Sequence, residues 1–133
     1  MKFITLLILT GLMFSMNTPA EEKLSKLKLK LFTPTLWAQQ PNFFACNLTN
    51  VSDDTRTIQV RIISNGAILD DSGEVPVEPL HTANYYIPGL PDRGGPIFCE
   101  FTVEGPKKWY RGAAKLFPAE NNPTTDLVAI PAE

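Results

Sequence analysis

His81 is the sole histidine of this chain of 133 residues, so any Ser-His-Asp or Cys-His arrangement must be built on it. It stands between Leu80 and Thr82 in a proline-flanked segment. No metal-ligand spacing, phosphate-cradling glycine loop or nucleophile elbow accompanies it. Catalysis needs several matched groups, and a turn histidine is the plainer reading. Asp53-Asp54 and Asp70-Asp71 offer carboxylates. Calcium, however, takes about six to eight oxygens from an arranged loop, and adjacent aspartates more simply form turns. The expectation is a protein that is not an enzyme, with no catalytic residues, no metal site and no cofactor.

Cys46 and Cys99 are the other reactive pair, and their surroundings decide their role. Phe44, Cys46 and Leu48 share one side of an alternating stretch, and Ile97, Cys99, Phe101 and Val103 share one side of another. A period of two means strand, so each cysteine falls on a buried face and a bridge across the core is expected. The compartment agrees. Met1-Lys2, the apolar run Phe3 to Phe14 and the small-residue ending Thr18-Pro19-Ala20 have the layout of a secretory signal peptide, and the run is too short to span a bilayer. Removal of residues 1–20 leaves residues 21–133 as one domain, secreted or periplasmic, where disulfides persist. A bridge closing a loop of about fifty residues stabilises by about 4 kcal/mol in the chain-entropy model.

The elements that position these residues read as strands. Lys26 to Leu31 alternates leucine with lysine, and Pro34 stops it. Thr33 to Asn42 is a proline-bounded connector, followed by the first cysteine strand. Thr57 to Ile63 puts Ile58, Val60 and Ile62 inward, and Ser64-Asn65-Gly66-Ala67 is a type I′ hairpin signal leading into a short return strand, Ala67 to Leu69. Val75-Pro76-Val77 fits an edge strand, because proline cannot donate to a ladder. Thr82 to Ile87 is a further strand. The second cysteine strand runs to Val103, Trp109 to Phe117 is its expected hairpin partner, and Leu127 to Ile130 can add a last strand. Seven to eight short strands with frequent turns and no helix predict an all-β, antiparallel two-sheet sandwich with one inter-sheet disulfide.

The chain resembles an immunoglobulin-like or fibronectin-type β-sandwich, and in particular the small exported bacterial sandwich proteins of unassigned function. The residues that carry the likeness are Cys46 with Asn47-Leu48-Thr49-Asn50-Val51-Ser52, Gly66 in its hairpin, and Phe98-Cys99 with Phe101-Thr102-Val103. It departs from antibody domains at position 97, an isoleucine where they carry a corner tyrosine, and in having no tryptophan on the third strand. A fold of this kind implies no activity.

Binding surfaces are then the place to seek function. Tyr85, Tyr86, Leu90 and Arg93 lie in the segment 81–96 among prolines and glycines, and form a candidate recognition loop. Lys26, Lys28 and Lys30 on the first strand, with Lys107, Lys108 and Arg111 near the last hairpin, form a candidate basic patch if first and last strands are neighbours. Solvated, edge-protecting lysines are the alternative. Trp37 and Trp109 suit either a sugar platform or the margin of a core. Asn47 and Asn50 each head a glycosylation sequon. The net charge of −2 argues against nucleic acid as a partner. The expected function is an exported, non-catalytic domain binding a protein or an anionic polymer through loops or an edge, without a membrane span. The alternative is a small exported inhibitor of a hydrolase, using the 81–96 loop as a plug.

Overall fold

The computed structural model describes residues 23–87, 90, 94–118 and 128–132. The chain forms β1 (Lys28–Phe32), β2 (Leu36–Ala38), β3 (Phe43–Asn50), β4 (Arg56–Ser64), β5 (Ala67–Val77), β6 (Thr82–Ile87), β7 (Gly95–Glu104), β8 (Tyr110–Phe117) and β9 (Val128–Pro131). All pairings are antiparallel. One sheet has five strands in the order β1-β7-β4-β5, with β2 also on β7; the other has the order β6-β3-β8-β9. The expected all-β, two-sheet sandwich is the observed fold, with the three-residue β2 as an addition to the strands read from sequence.

The alternation of apolar residues builds the core. Phe44, Cys46 and Leu48 from β3 face Ile58, Val60 and Ile62 from β4 and Ile97, Cys99, Phe101 and Val103 from β7, all buried. The Cys46–Cys99 bridge joins the two sheets with a Cα–Cα separation of 5.8 Å. Gly112 on β8 lets the sheets approach: a Cβ there would lie 3.1 Å from both Leu48 Cδ1 and Phe101 Cε2. Asn65 and Gly66 both take positive φ, 50° and 77°, as the β4–β5 hairpin requires.

Three connections differ from expectation. The return strand after that hairpin does not stop at Leu69 but runs on to Val77, because two register shifts let it bend past Asp70-Asp71-Ser72-Gly73. Ser72 Oγ repairs one shift by accepting from the Val60 N–H at 2.9 Å. Within the expected connector, Leu36–Ala38 adds to β7 opposite Gly95–Ile97. Most consequential, β8 is not the hairpin partner of β7. β7 is already flanked by β4 on one side and by β1 and β2 on the other, so no edge is left. The chain turns at Gly105, with φ 86°, passes through a 3₁₀ turn at Lys107–Trp109, and enters the opposite sheet beside β3. The Trp109 ring packs against Gly105, and the Tyr110 hydroxyl donates to the Glu104 carbonyl, locking the crossover.

Candidate functional site

The outward residues of the five-stranded sheet divide into two zones. At one end, β2 and β7 bring Trp37 opposite Pro96, and β4 brings Ile63 opposite both Phe98 and Ile68. Phe32 on β1 leans toward Phe98, with ring centroids 6.4 Å apart and planes tilted by 54°. Leu69 is the extra residue of the neighbouring register shift and is also exposed. Trp37 is 65% exposed, Ile68 54% and Phe32 44%, while Phe98, Ile63 and Pro96 are half-buried beneath them. Gly94, with φ 67°, seats the indole: a Cβ there would lie 2.8 Å from Trp37 Nε1. A tryptophan and two phenylalanines held on strands at the surface form a rigid apolar patch, the kind of surface that binds.

Along the same face the next rows are charged. Lys30 Nζ reaches Glu100 Oε2 at 3.0 Å, Arg61 Nη1 reaches Glu100 Oε1 at 3.3 Å, and Arg61 Nε reaches Asp71 Oδ2 at 2.8 Å. Gln59 Nε2 completes the row by donating to Asp71 Oδ1 at 2.8 Å, and Lys28 pairs with Glu74 at 2.6 Å in the row beyond. The Asp71 carboxyl is held below the ordinary aspartate range, first by the Gln59 hydrogen bond and then by the Gly73 N–H and Arg61. Arg61 is in turn raised above its ordinary value, chiefly by its hydrogen bond to Asp71.

These positions change the reading of the basic patch. β1 pairs with β7 in one sheet, and β8 and β9 lie in the other, so first and last strands are not neighbours. Lys28 and Lys30 face outward among their acidic partners. Lys26 is exposed just before β1. Lys107, Lys108 and Arg111 do come together, around a cavity of about 460 Å³ whose other walls include Leu31 and Gly112. The guanidinium there donates to the Lys108 and Tyr110 carbonyls at 3.1 and 2.7 Å.

The candidate recognition loop is also redistributed. Tyr85 and Tyr86 sit on β6, where alternation sends Tyr85 toward the sheet interface and leaves Tyr86 on the outer face, 63% exposed. Leu90 is buried in the core. Arg93 lies outside the described residues. Trp109 does not share a surface with Trp37: it is half-buried beneath the Arg56 guanidinium, 4.1 Å from the ring centroid.

Neither sequence-marked polar group builds a reactive centre among the described residues. His81 is exposed, with Nδ1 3.0 Å from the Pro79 carbonyl and 3.9 Å from Glu78. Asp54 pairs with Arg56. No group of three or more His, Cys, Asp or Glu among the described residues is placed to hold a metal. Asn50 is buried and fully engaged: Nδ2 donates to the Asp54 and Val77 carbonyls at 2.7 and 2.8 Å, and Oδ1 accepts from Ser52 N and Oγ. Its amide ties the ends of β3 and β5 together. Asn47 is half-buried on the outer side of β3, between Asn84 and Ala113.

No family model matches the chain, and no curated protein matches it in sequence. Among solved structures, the Thermotoga maritima protein 1070 is similar in architecture, with a TM-score of 0.53 and 12% identity over 78% of this chain and 91% of that one. The likeness is one of fold. No helix among the described residues is long and apolar enough to cross a membrane.

Sequence reasoning placed Trp37 in a connector and missed Phe32, Pro96, Phe98, Ile63 and Ile68 as one surface. Their clustering depends on β1 and β2 both joining one side of β7 while β4 joins the other, and the β1 and β2 contacts are about sixty to seventy residues apart in sequence. A local signal existed for the outward direction of three of them: Phe32 continues the face of Lys28 and Lys30, Phe98 lies between the inward Ile97 and Cys99, and Ile63 follows the inward Ile62.

Proposed function

We propose that the protein is an exported, non-catalytic binding domain, and that its partner, a protein or a polymer, docks on the apolar zone of the five-stranded sheet beside the β1 and β2 edge. The observation that supports this is the contiguity of Trp37, Phe32, Phe98 and Ile68 on one outward face, with two of them more than half exposed. Rigid aromatic anchors supply much of the energy at binding hot spots, because ordering them costs little entropy. In this reading residues 1–20 are a signal peptide, and the bridge between Cys46 and Cys99 forms after export.

We read the sandwich as a variant of the immunoglobulin-like type. β3, β4, β6 and β7 are paired as the B, C, E and F strands of such domains are, and the disulfide joins the B and F equivalents. The variation is that β1 takes the place beside β7 that a final strand would hold, while β8 takes the place beside β3 that a first strand would hold.

The immobilised, oxidised protein is expected to retain a stoichiometric partner from the exported fraction of its host, and the Trp37→Ser, Phe32→Ser double variant to lose it. Retention by a correctly folded double variant overturns the assignment of this zone.

A further inference from the structure

Among the described residues five strands lie at sheet edges, and four of them carry features that resist pairing with another molecule; β2 is only three residues long. β1 presents Lys28 and Lys30, so a copy of itself would set lysine against lysine. β5 carries Asp70, Asp71 and Glu74, a proline and two register shifts. β9 is four residues long and ends in a proline. β6, with the sequence Thr82-Ala83-Asn84-Tyr85-Tyr86-Ile87, has no charge, no proline and an unbroken six-residue register with β3. Proteins ordinarily blunt exposed edges with one of these devices, and β6 has none of them.

The free main-chain groups of β6 can be assigned. The Asn50 N–H donates to the His81 carbonyl at 3.0 Å, continuing the β3–β6 ladder, while the Val51 N–H donates to Trp109 on the opposite side. Along this ladder Ala83, Tyr85 and Ile87 direct their amides and carbonyls to β3, and Thr82, Asn84 and Tyr86 direct theirs away from it. No other described residue bonds to the main chain of these three.

We propose that β6 is a self-association edge, pairing antiparallel with β6 of a second copy about a two-fold axis at Asn84. In this register Asn84 meets Asn84 of the partner copy, and Thr82 meets the copy's Tyr86. The three outward-directed residues of each strand then exchange about six main-chain hydrogen bonds. The side chains complement one another on both faces. Tyr86 stands over Thr82 outside, and Tyr85 stands over Ala83 inside, so each tyrosine meets a small residue and no like charges are opposed. A groove of about 350 Å³ runs between β6 and the end of β5, lined by Val75, Val77, Ala83 and Tyr85 together with the polar Glu78 and His81. The incoming strand brings a second Ala83 and Tyr85 to this side, extending the apolar part of the lining. The result is one continuous eight-stranded sheet across two copies of the four-stranded sheet. The interface lies on the other sheet from the Trp37 zone, leaving that zone free.

The test places charge on the two-fold axis. Asn84→Lys and Asn84→Asp each oppose like charges in the dimer, yet position 84 is exposed and its own main-chain groups do not serve the β3 ladder, so the fold is preserved. Analytical ultracentrifugation of the oxidised protein is expected to find a dimer for the wild type. Each single variant should dissociate at least about tenfold more readily, and an equimolar mixture of the two should recover the dimer as a heterodimer. Recovery on mixing cannot come from misfolded chains. A monomeric wild type overturns the proposal and leaves β6 open to a strand from a different protein. A dimer untouched by both charges overturns it by placing the contact elsewhere.

Discussion

The outward face of the five-stranded sheet carries two zones built on the same strands with opposite bookkeeping of partners. In the charged zone Lys28, Lys30, Arg61, Asp71, Glu74 and Glu100 neutralise one another across four strands. In the apolar zone Trp37, Phe32 and Ile68 stay in solvent although each is large enough to be worth burying. The charges are answered within the fold and hold strands in register. The apolar side chains touch one another and the backbone beneath them, but stay largely uncovered among the described residues. That difference is why we propose the apolar zone, and not the charged one, as the docking surface, and it reverses the weight the sequence put on the lysines.

The largest effect on both zones together comes from what lies beneath them. Cys99 sits on β7 between Phe98 and Glu100, so replacing Cys46 and Cys99 with alanine undermines both zones at once. A loss of about 4 kcal/mol is expected in urea unfolding. Within the charged zone, Glu100 is the most sensitive member, since its side chain is only 9% exposed although it points outward. Lys30→Met with Arg61→Met strands that carboxylate and should cost about 3 kcal/mol, and adding Glu100→Leu should restore most of it. If the double variant unfolds at the same urea concentration as the wild type, the row is decoration and the contrast between zones fails. Trp37→Ser with Phe32→Ser should shift stability by about 1 kcal/mol or less, because these side chains are already largely in water. A cost equal to that of the charged pair would make the apolar zone structural too.

The smallest effect is a pH dependence confined to the charged zone. Asp71 has a carboxyl held below its unfolded value of about 3.9. Its contribution is therefore fully present above that value and is lost as pH falls through the lower, folded one. Asp71→Asn should flatten the acid limb of stability measured between about pH 5 and pH 2, whereas Trp37→Ser should leave the slope of that limb unchanged.

Much of the scaffold was legible because it rests on local alternation. The apolar faces of β3, β4 and β7 and the Asn65-Gly66 turn follow from residues next to one another, and they carry the sheets and the bridge. The crossover from β7 to β8 was not legible. Gly105-Pro106 reads as a hairpin turn, and only the occupation of both sides of β7 excludes that pairing. The split between Tyr85 and Tyr86 was available in principle, since reading Thr82 to Ile87 as a strand already sends neighbours to opposite faces. The countercharges of Lys28 and Lys30 were not, because Glu74 and Glu100 lie 46 and 70 positions away. The apolar zone was hidden for the same reason: it joins residues from five strands that only the topology brings together.

The most direct measurement is a paired binding experiment with the partner retained by the wild-type protein. The Trp37→Ser, Phe32→Ser variant is compared with Lys28→Ala, which opens one exposed ion pair on the same face and should cost little stability. Loss of the partner in the first and full retention in the second is the predicted result. Retention in the first, or loss in the second alone, would contradict the division of this face into a structural zone and a binding zone.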